Sequence, residues 1–286
     1  MKDFIGGLLL LAALAVFPFG STAMETGQEH CGLEHPCLLG DRGYHVLAPD
    51  DWDGETALPL LLHFHGWMRD GALIVRHQRI ASATRKRGVL LVAPNGIGKT
   101  WNFWQSASRD VPFAASVIDD VAKVYPIDRE KIFVSGYSYG GAMAWRFVCQ
   151  QGDGVAALLA ISGSIRQDTR CPEAPDEVRH VHGLSDTVMD FPVGPDADIT
   201  YPVALWRGQY ECSDATEDGP WQARSFLTFE RSSWDCARGR VTLDIHPGGH
   251  FIPHGWIARQ LDQLLSLPNS YPWRARLFPF RPHCAN

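Results

Sequence analysis

The chain has 286 residues, of which 45% are hydrophobic and 20% charged, with a net charge of −6. A slightly acidic chain of this kind lacks the basic surface a nucleic-acid binder needs, and its apolar content is ordinary for a globular protein. It shows no internal repeat, no low-complexity tract and no linker that would split a core.

Met1-Lys2-Asp3 leads into an apolar run through Phe19, and Ser21-Thr22-Ala23 supplies small residues. This predicts a secretory signal over 1–23, with an uncleaved anchor as the alternative because Asp3 offsets Lys2. No later run is long enough to cross a bilayer, so no membrane contact is expected after cleavage. The remainder, 24–286, suits one large α/β domain. Seven cysteines fit an oxidising compartment, secreted or periplasmic. Proximity suggests the pairs Cys31–Cys37, Cys149–Cys171 and Cys212–Cys236, leaving Cys284 in the tail; buried free thiols are the alternative.

Along the chain, Leu60-Leu61-Leu62-His63-Phe64-His65 reads as a strand that ends in Gly66-Trp67. His63 and His65 share one face of it, but Gly66-Trp67-Met68-Arg69 adds no further metal ligand. Hydrogen bonding to the following loop suits them better. Val89 to Ala93 is a second strand. After it, Gly96-Ile97-Gly98-Lys99-Thr100 ends like a phosphate-binding loop, yet Ala93 replaces the first glycine and Trp101-Asn102-Phe103-Trp104 opens no helix. Val117, Ile118, Val121 and Val124 mark an amphipathic helix carrying Asp119 and Asp120.

Lys131 to Ser135 is a short buried strand, and Gly141 to Phe147 reads as a helix. Between them stands Gly136-Tyr137-Ser138-Tyr139-Gly140. A strand turning sharply into a helix projects its central side chain, and flanking glycines give the room. Ser138 is therefore the candidate nucleophile. Glu177 to His182 is a strand followed at once by Asp186, and Val241 to His246 is a strand followed by His250. Ser, Asp, His is the chain order of an α/β-hydrolase triad, and both partners lie past the C-terminal ends of strands. Asp190, Asp119 and Asp120 compete for the acid, and His246 and His254 for the base. The backbone N–H groups of Trp67 and Tyr139 are the candidate oxyanion hole. Trp101 and Trp104, with Trp67 and Tyr139, form a candidate aromatic substrate platform. The stretch from about 190 to 233 is rich in Pro, Gly, Asp and Trp and reads as a cap or insertion. Residues 268–286 read as a tail, with arginines among aromatics that also suit contact with a polymer.

These motifs resemble the secreted esterase family that includes polyhydroxybutyrate depolymerases and feruloyl or acetylxylan esterases. The resemblance rests on Leu62 to Trp67, Ala93-Pro94-Asn95-Gly96 with Trp101, Asp119-Asp120-Val121, and Tyr125-Pro126-Ile127-Asp128. Gly136 to Met143, His182 to Asp186, and Gly248-Gly249-His250 complete the ordered set over roughly residues 40 to 260. The family commonly has Cys where Trp67 stands and W-P-G where this chain has Phe251-Ile252-Pro253. The resemblance implies an α/β-hydrolase fold: a mostly parallel sheet flanked by helices, with a cap-like insertion before the last strand. It implies a serine esterase acting through an acyl-enzyme on small or polymeric esters, with no metal or cofactor. Polyhydroxyalkanoate-type polyesters come first, then feruloyl or acetylxylan esters. A serine peptidase of the same fold and a non-catalytic binding module are the other two readings.

Overall fold

The computed structural model describes residues 31–271; the expected signal segment, Cys284 and the tail beyond 271 lie outside the described residues. Ten strands form one sheet: β1 Cys37–Leu39, β2 Arg42–Leu47, β3 Leu58–Phe64, β4 Leu90–Pro94, β5 Ile127–Tyr137, β6 Ala157–Ile161, β7 Glu177–Gly183, β8 Thr216–Arg224, β9 Leu227–Cys236 and β10 Gly239–His246. Their order is β1-β2-β4-β3-β5-β6-β7-β10-β9-β8. The six central strands, β4 through β10 in that order, run parallel, and antiparallel pairs close both edges. This is the α/β-hydrolase architecture.

Alternation along the strands makes two cores. Leu60, Leu62 and Phe64 of β3 face one layer, while Leu61 faces the other. The first layer holds α3 Asp110–Val121, α4 Tyr139–Gln151 and α5 Ala204–Gln209; the second holds α1 Gly71–Arg76, α2 Gln78–Arg85 and α6 Trp256–Leu264. A sheet covered on both faces explains why its central strands read as unbroken apolar runs such as Leu60 to Leu62 and Val89 to Ala93.

The segment expected as a cap divides in two. Residues 190 to 215 are loops, two short 3-10 turns and α5, but Thr216 to Cys236 are strands β8 and β9, which extend the sheet. Strand β8 escaped detection because Gly219, at φ 79°, and Pro220 interrupt it at a register shift. Such residues are tolerated on an edge strand, where a missing ladder donor costs little.

The structure joins Cys31 to Cys37, Cys149 to Cys171, and Cys212 to Cys236. The second fastens the C-terminal end of α4 to the segment before β7, and the third ties the exit of α5 to the end of β9. Among the described residues, no helix is long and apolar enough to cross a membrane.

Candidate active site

Strand β5 turns into α4 at Ser138, whose backbone is held at φ 59° and ψ −125°. An L-residue pays for that conformation, and the packing around it leaves no alternative. A side chain at Gly136 would overlap the Gly140 carbonyl, and one at Gly140 would overlap the Phe64 carbonyl. The Ser138 N–H donates to Ile161 O at 2.9 Å, which locks the elbow to the end of β6.

Asp186 and His250 come together from the loops after β7 and β10. His250 Nδ1–H donates to Asp186 Oδ2 at 2.7 Å. The other carboxylate oxygen accepts the N–H groups of Val188 (2.9 Å) and Met189 (3.0 Å). Burial acts to raise the Asp186 pKa, but the His250 hydrogen bond and these two N–H groups outweigh it, holding the carboxyl below its ordinary value. An ionised Asp186 only accepts, so His250 carries its proton on Nδ1 and presents Nε2 as a lone pair. The imidazole stacks on Tyr137, the residue before Ser138, with centroids 4.7 Å apart at 30°.

The segment after β3 meets the elbow from the other side. A Cβ at Gly66 would stand 3.6 Å from Ser138 Cβ. Tyr139 is the first residue of α4, so its N–H has no acceptor one turn back. His65 braces this loop: Nδ1–H donates to Gly66 O at 2.8 Å, and Nε2 accepts the Gly96 N–H at 3.0 Å. Burial pushes its pKa down to about 4, consistent with a neutral ring that donates at one nitrogen and accepts at the other. His63 donates to or accepts from Ser135 Oγ at 3.1 Å inside the sheet.

No family model matches the chain. Probable feruloyl esterase C of Aspergillus niger is 26% identical over 254 residues, spanning 86% of this chain and 90% of that protein. A bifunctional acetylxylan esterase/xylanase of Neocallimastix patriciarum is 28% identical over 151 residues, spanning 52% of this chain but only 22% of the relative. Among solved structures, acetyl xylan esterase from Aspergillus awamori superposes with a TM-score of 0.59 at 13% identity, covering 78% of this chain and 94% of that one. This chain is a serine esterase of the α/β-hydrolase fold.

The platform residues separate. Trp104 of the esterase is 63% exposed and Trp67 62% exposed. Trp104 packs on Phe103 at 3.8 Å and meets Tyr139 edge-on at 5.5 Å, which brings it beside the elbow. Trp101 is a correction. Only 2% exposed, it donates Nε1–H to His65 O at 2.8 Å and packs edge-on against Phe64. Its buried indole supports the loop after β3 and offers no face to a substrate. The loop carrying Trp104 is tied down at two points, and an ion pair fixes the carboxylate at one of them. The Asn102 N–H donates to Asp110 Oδ2, Arg146 Nε–H donates to Phe103 O, and Arg42 pairs with Asp110 at 2.8 Å.

The competing acids and bases fall elsewhere. Asp119 pairs with Arg129 on the surface, and Asp120 accepts from Tyr44 and Lys123. His246 is buried with its Nδ1 accepting the Gly248 N–H, and His254 Nε2 accepts from Arg224. Two residues quoted in the sequence motifs make contacts at the candidate site that the motifs did not specify. Tyr137 lies under His250, and His182 stands 3.4 Å from Asp186 while donating to Met189 O at 2.7 Å. For Tyr137 the signal was its place inside the elbow; for His182 it was its place two residues inside β7, on the Asp186 side.

Proposed function

We propose that this esterase cleaves hydroxycinnamoyl esters of plant-wall type, with acetyl esters of the same polysaccharides as the second reading. The observation that carries the first is the exposed indole of Trp104 set against Tyr139, next to Ser138. An aromatic wall there offers large apolar area and edge-to-face contact to a phenolic acyl group. The relatives named for feruloyl and acetylxylan ester hydrolysis support this order ahead of the polyester reading. The acetyl reading draws on the acetylxylan esterase neighbours.

In the proposed reaction Ser138 Oγ attacks the acyl carbon while His250 Nε2 takes its proton. The N–H groups of Trp67 and Tyr139 receive the oxyanion. The C–O bond then breaks, and the alcohol leaves with the proton from His250. Water, deprotonated by the same ring, attacks the acyl-enzyme and frees Ser138. Asp186 holds the Nδ1–H tautomer and stabilises the imidazolium throughout. Three disulfides support action outside the reducing cytosol.

The test is kcat/KM on methyl ferulate against methyl acetate, which share one leaving group, in the wild type and in Trp104→Ala. The wild type should favour the ferulate by about tenfold or more, and the substitution should erase most of that preference. Equal values on both esters in the wild type would overturn the aromatic reading.

A further inference from the structure

A cavity of about 430 Å³ lies between α2 and the N-terminal end of α6, in the second helical layer. Arg79, Lys86, Arg87 and His254 line it, with the hydroxyls of Ser82 and Ser270. Among the described residues its wall contains no acidic side chain. In a chain of net charge −6 that is a local reversal of sign. Of its three permanent cations only Arg87 forms an ion pair among the described residues, to Asp262 at 2.6 Å. Asp262 is buried and also accepts the Ser270 N–H at 2.8 Å, so its charge is taken up beneath the wall. Arg79 donates to the Ile252 carbonyl, a neutral acceptor that leaves its charge uncompensated. Lys86 is exposed at the end of α2.

Two further features of this wall lack an acceptor. His254 Nε2 accepts from Arg224 Nη2 at 2.8 Å, and a guanidinium only donates, so the neutral ring carries its proton on Nδ1. That Nδ1 is buried and has no partner among the described residues. A buried donor left unmet is unfavourable. Beside it α6 begins at Gly255, held at φ 77°, with no side chain to receive the first-turn N–H groups. A capping side chain would be strained there, and its Cβ would stand 2.8 Å from Tyr271 Cζ. Ala258, in that first turn, lines the cavity. The open start of a helix favours negative charge.

We infer that this cavity binds an oxyanion: a phosphate, sulfate or carboxylate group held between Arg79 and Lys86 and accepting from His254 Nδ1–H. Uncompensated cations, an unmet N–H donor and an uncapped helix start all call for a negatively charged acceptor. The same wall offers a cation no ligand and an apolar group little surface. A free ion and a carboxylate carried on a polymer share this chemistry. The site goes beyond the ester reading and does not depend on which acyl group is cleaved. It shares a segment with the reaction all the same, since Ile252 and His254 lie two and four residues past His250.

The experiment titrates the full chain with sodium phosphate at constant pH and ionic strength, sodium chloride making up the balance. Calorimetry reads the binding, and the unfolding temperature reads the stabilisation that a ligand of the folded state brings. A parallel arm uses a soluble polycarboxylate oligosaccharide at the same concentration of charge. Saturation with phosphate identifies a free ion, and saturation with the oligosaccharide alone identifies a polymer-borne group. Lys86→Ala and Arg79→Ala should each raise Kd about tenfold, the loss of one charge-assisted contact. Arg85→Ala removes a neighbouring cation that pairs with Asp50 outside the cavity, and should leave Kd within about twofold. If Arg79→Ala does not fold, having lost its hold on Ile252, Lys86→Ala decides alone. No saturation in either arm, or equal weakening by Arg85→Ala and Lys86→Ala, overturns the inference.

Discussion

The imidazole of His250 lies over the phenol of Tyr137, tilted by 30° at 4.7 Å, while its Nδ1 is fixed by Asp186. Two contacts of different kinds thus define the ring: the hydrogen bond sets its direction and the stack sets its plane. Burial and then the Asp186 charge push the Tyr137 hydroxyl up to about 12, so the phenol stays neutral through the working range. Tyr137→Phe keeps the ring and should retain activity within about threefold. Tyr137→Ala frees the imidazole to swing, and should lower kcat by about tenfold or more with KM little changed, since small misplacements of a reacting group are costly. Steady-state kinetics of the two variants checks this. Equal activity in both would mean that Asp186 alone holds the ring.

Ser138→Ala should lower kcat by about 10⁴ to 10⁶ with an unchanged unfolding temperature, because only binding and the oxyanion donors remain. A fluorophosphonate probe should label the wild type and not the variant. More than a tenth of the activity surviving in folded Ser138→Ala would remove this serine from the reaction. Retained peptide-anilide hydrolysis in the wild type, above that on esters, would favour the peptidase alternative.

The legible parts of this molecule are those where local rules and global position agree. Ser138 follows directly on the end of β5, and Asp186 and His250 lie in the short loops just past β7 and β10; a parallel sheet brings such ends to one rim, so three residues spread over 112 positions of sequence share one edge of the fold. Trp101 was misread because sequence adjacency to Trp104 says nothing about direction; the chain between them turns one indole inward and the other outward. The α3 pattern ran too long for a similar reason. Val124 fits the helical period, yet the helix stops at Val121 and Val124 is exposed. Strand β8 was hidden by Gly219 and Pro220, whose local preferences oppose a strand that pairing with β9 imposes. Tyr137 meets His250 across more than a hundred residues, a contact that no spacing encodes, whereas His182 reaches Asp186 and Met189 within the same strand-to-loop segment.

Acid should unfold this protein earlier than its carboxylates alone would require. Burial pushes His63 down to about 3 and His65 and His246 to about 4. In the unfolded chain each takes up a proton near pH 6.5, whereas in the fold it stays neutral until pH 3 to 4. Between those limits the unfolded state binds more protons, so stability rises with pH and is lost as pH falls from about 6.5 toward 4. Each histidine contributes a slope of up to about 1.4 kcal/mol per pH unit in that window. Urea unfolding at pH 7.5, 6, 5 and 4.5 measures the slope. A flat stability between pH 6.5 and 5 would mean that these rings are protonated in the fold.

The strongest structural dependence is expected at Asp244. It lies fully buried in β10 and accepts from Arg231 through Nε at 2.8 Å and Nη2 at 2.7 Å. Trp221 Nε1–H and Trp256 Nε1–H complete its shell at 2.9 and 2.7 Å, linking β8, β9, β10 and α6. Burial alone would raise this carboxyl, but Arg231 and the two indoles hold it below its ordinary value. Removing the carboxylate leaves a guanidinium that is itself buried, with two glutamines as its remaining partners. Loss of one member of such a pair costs about 3–5 kcal/mol, whereas replacing both by apolar residues of similar volume is often close to neutral. Asp244→Ala should therefore unfold at far lower urea than the wild type, and Asp244→Leu with Arg231→Met should recover most of the loss. Because β10 leads straight into the His250 loop, activity in Asp244→Ala should fall at temperatures where Ser138→Ala is still folded. A single substitution costing less than about 1 kcal/mol, or a double variant no better than the single, would show that the pair carries little of the fold's stability.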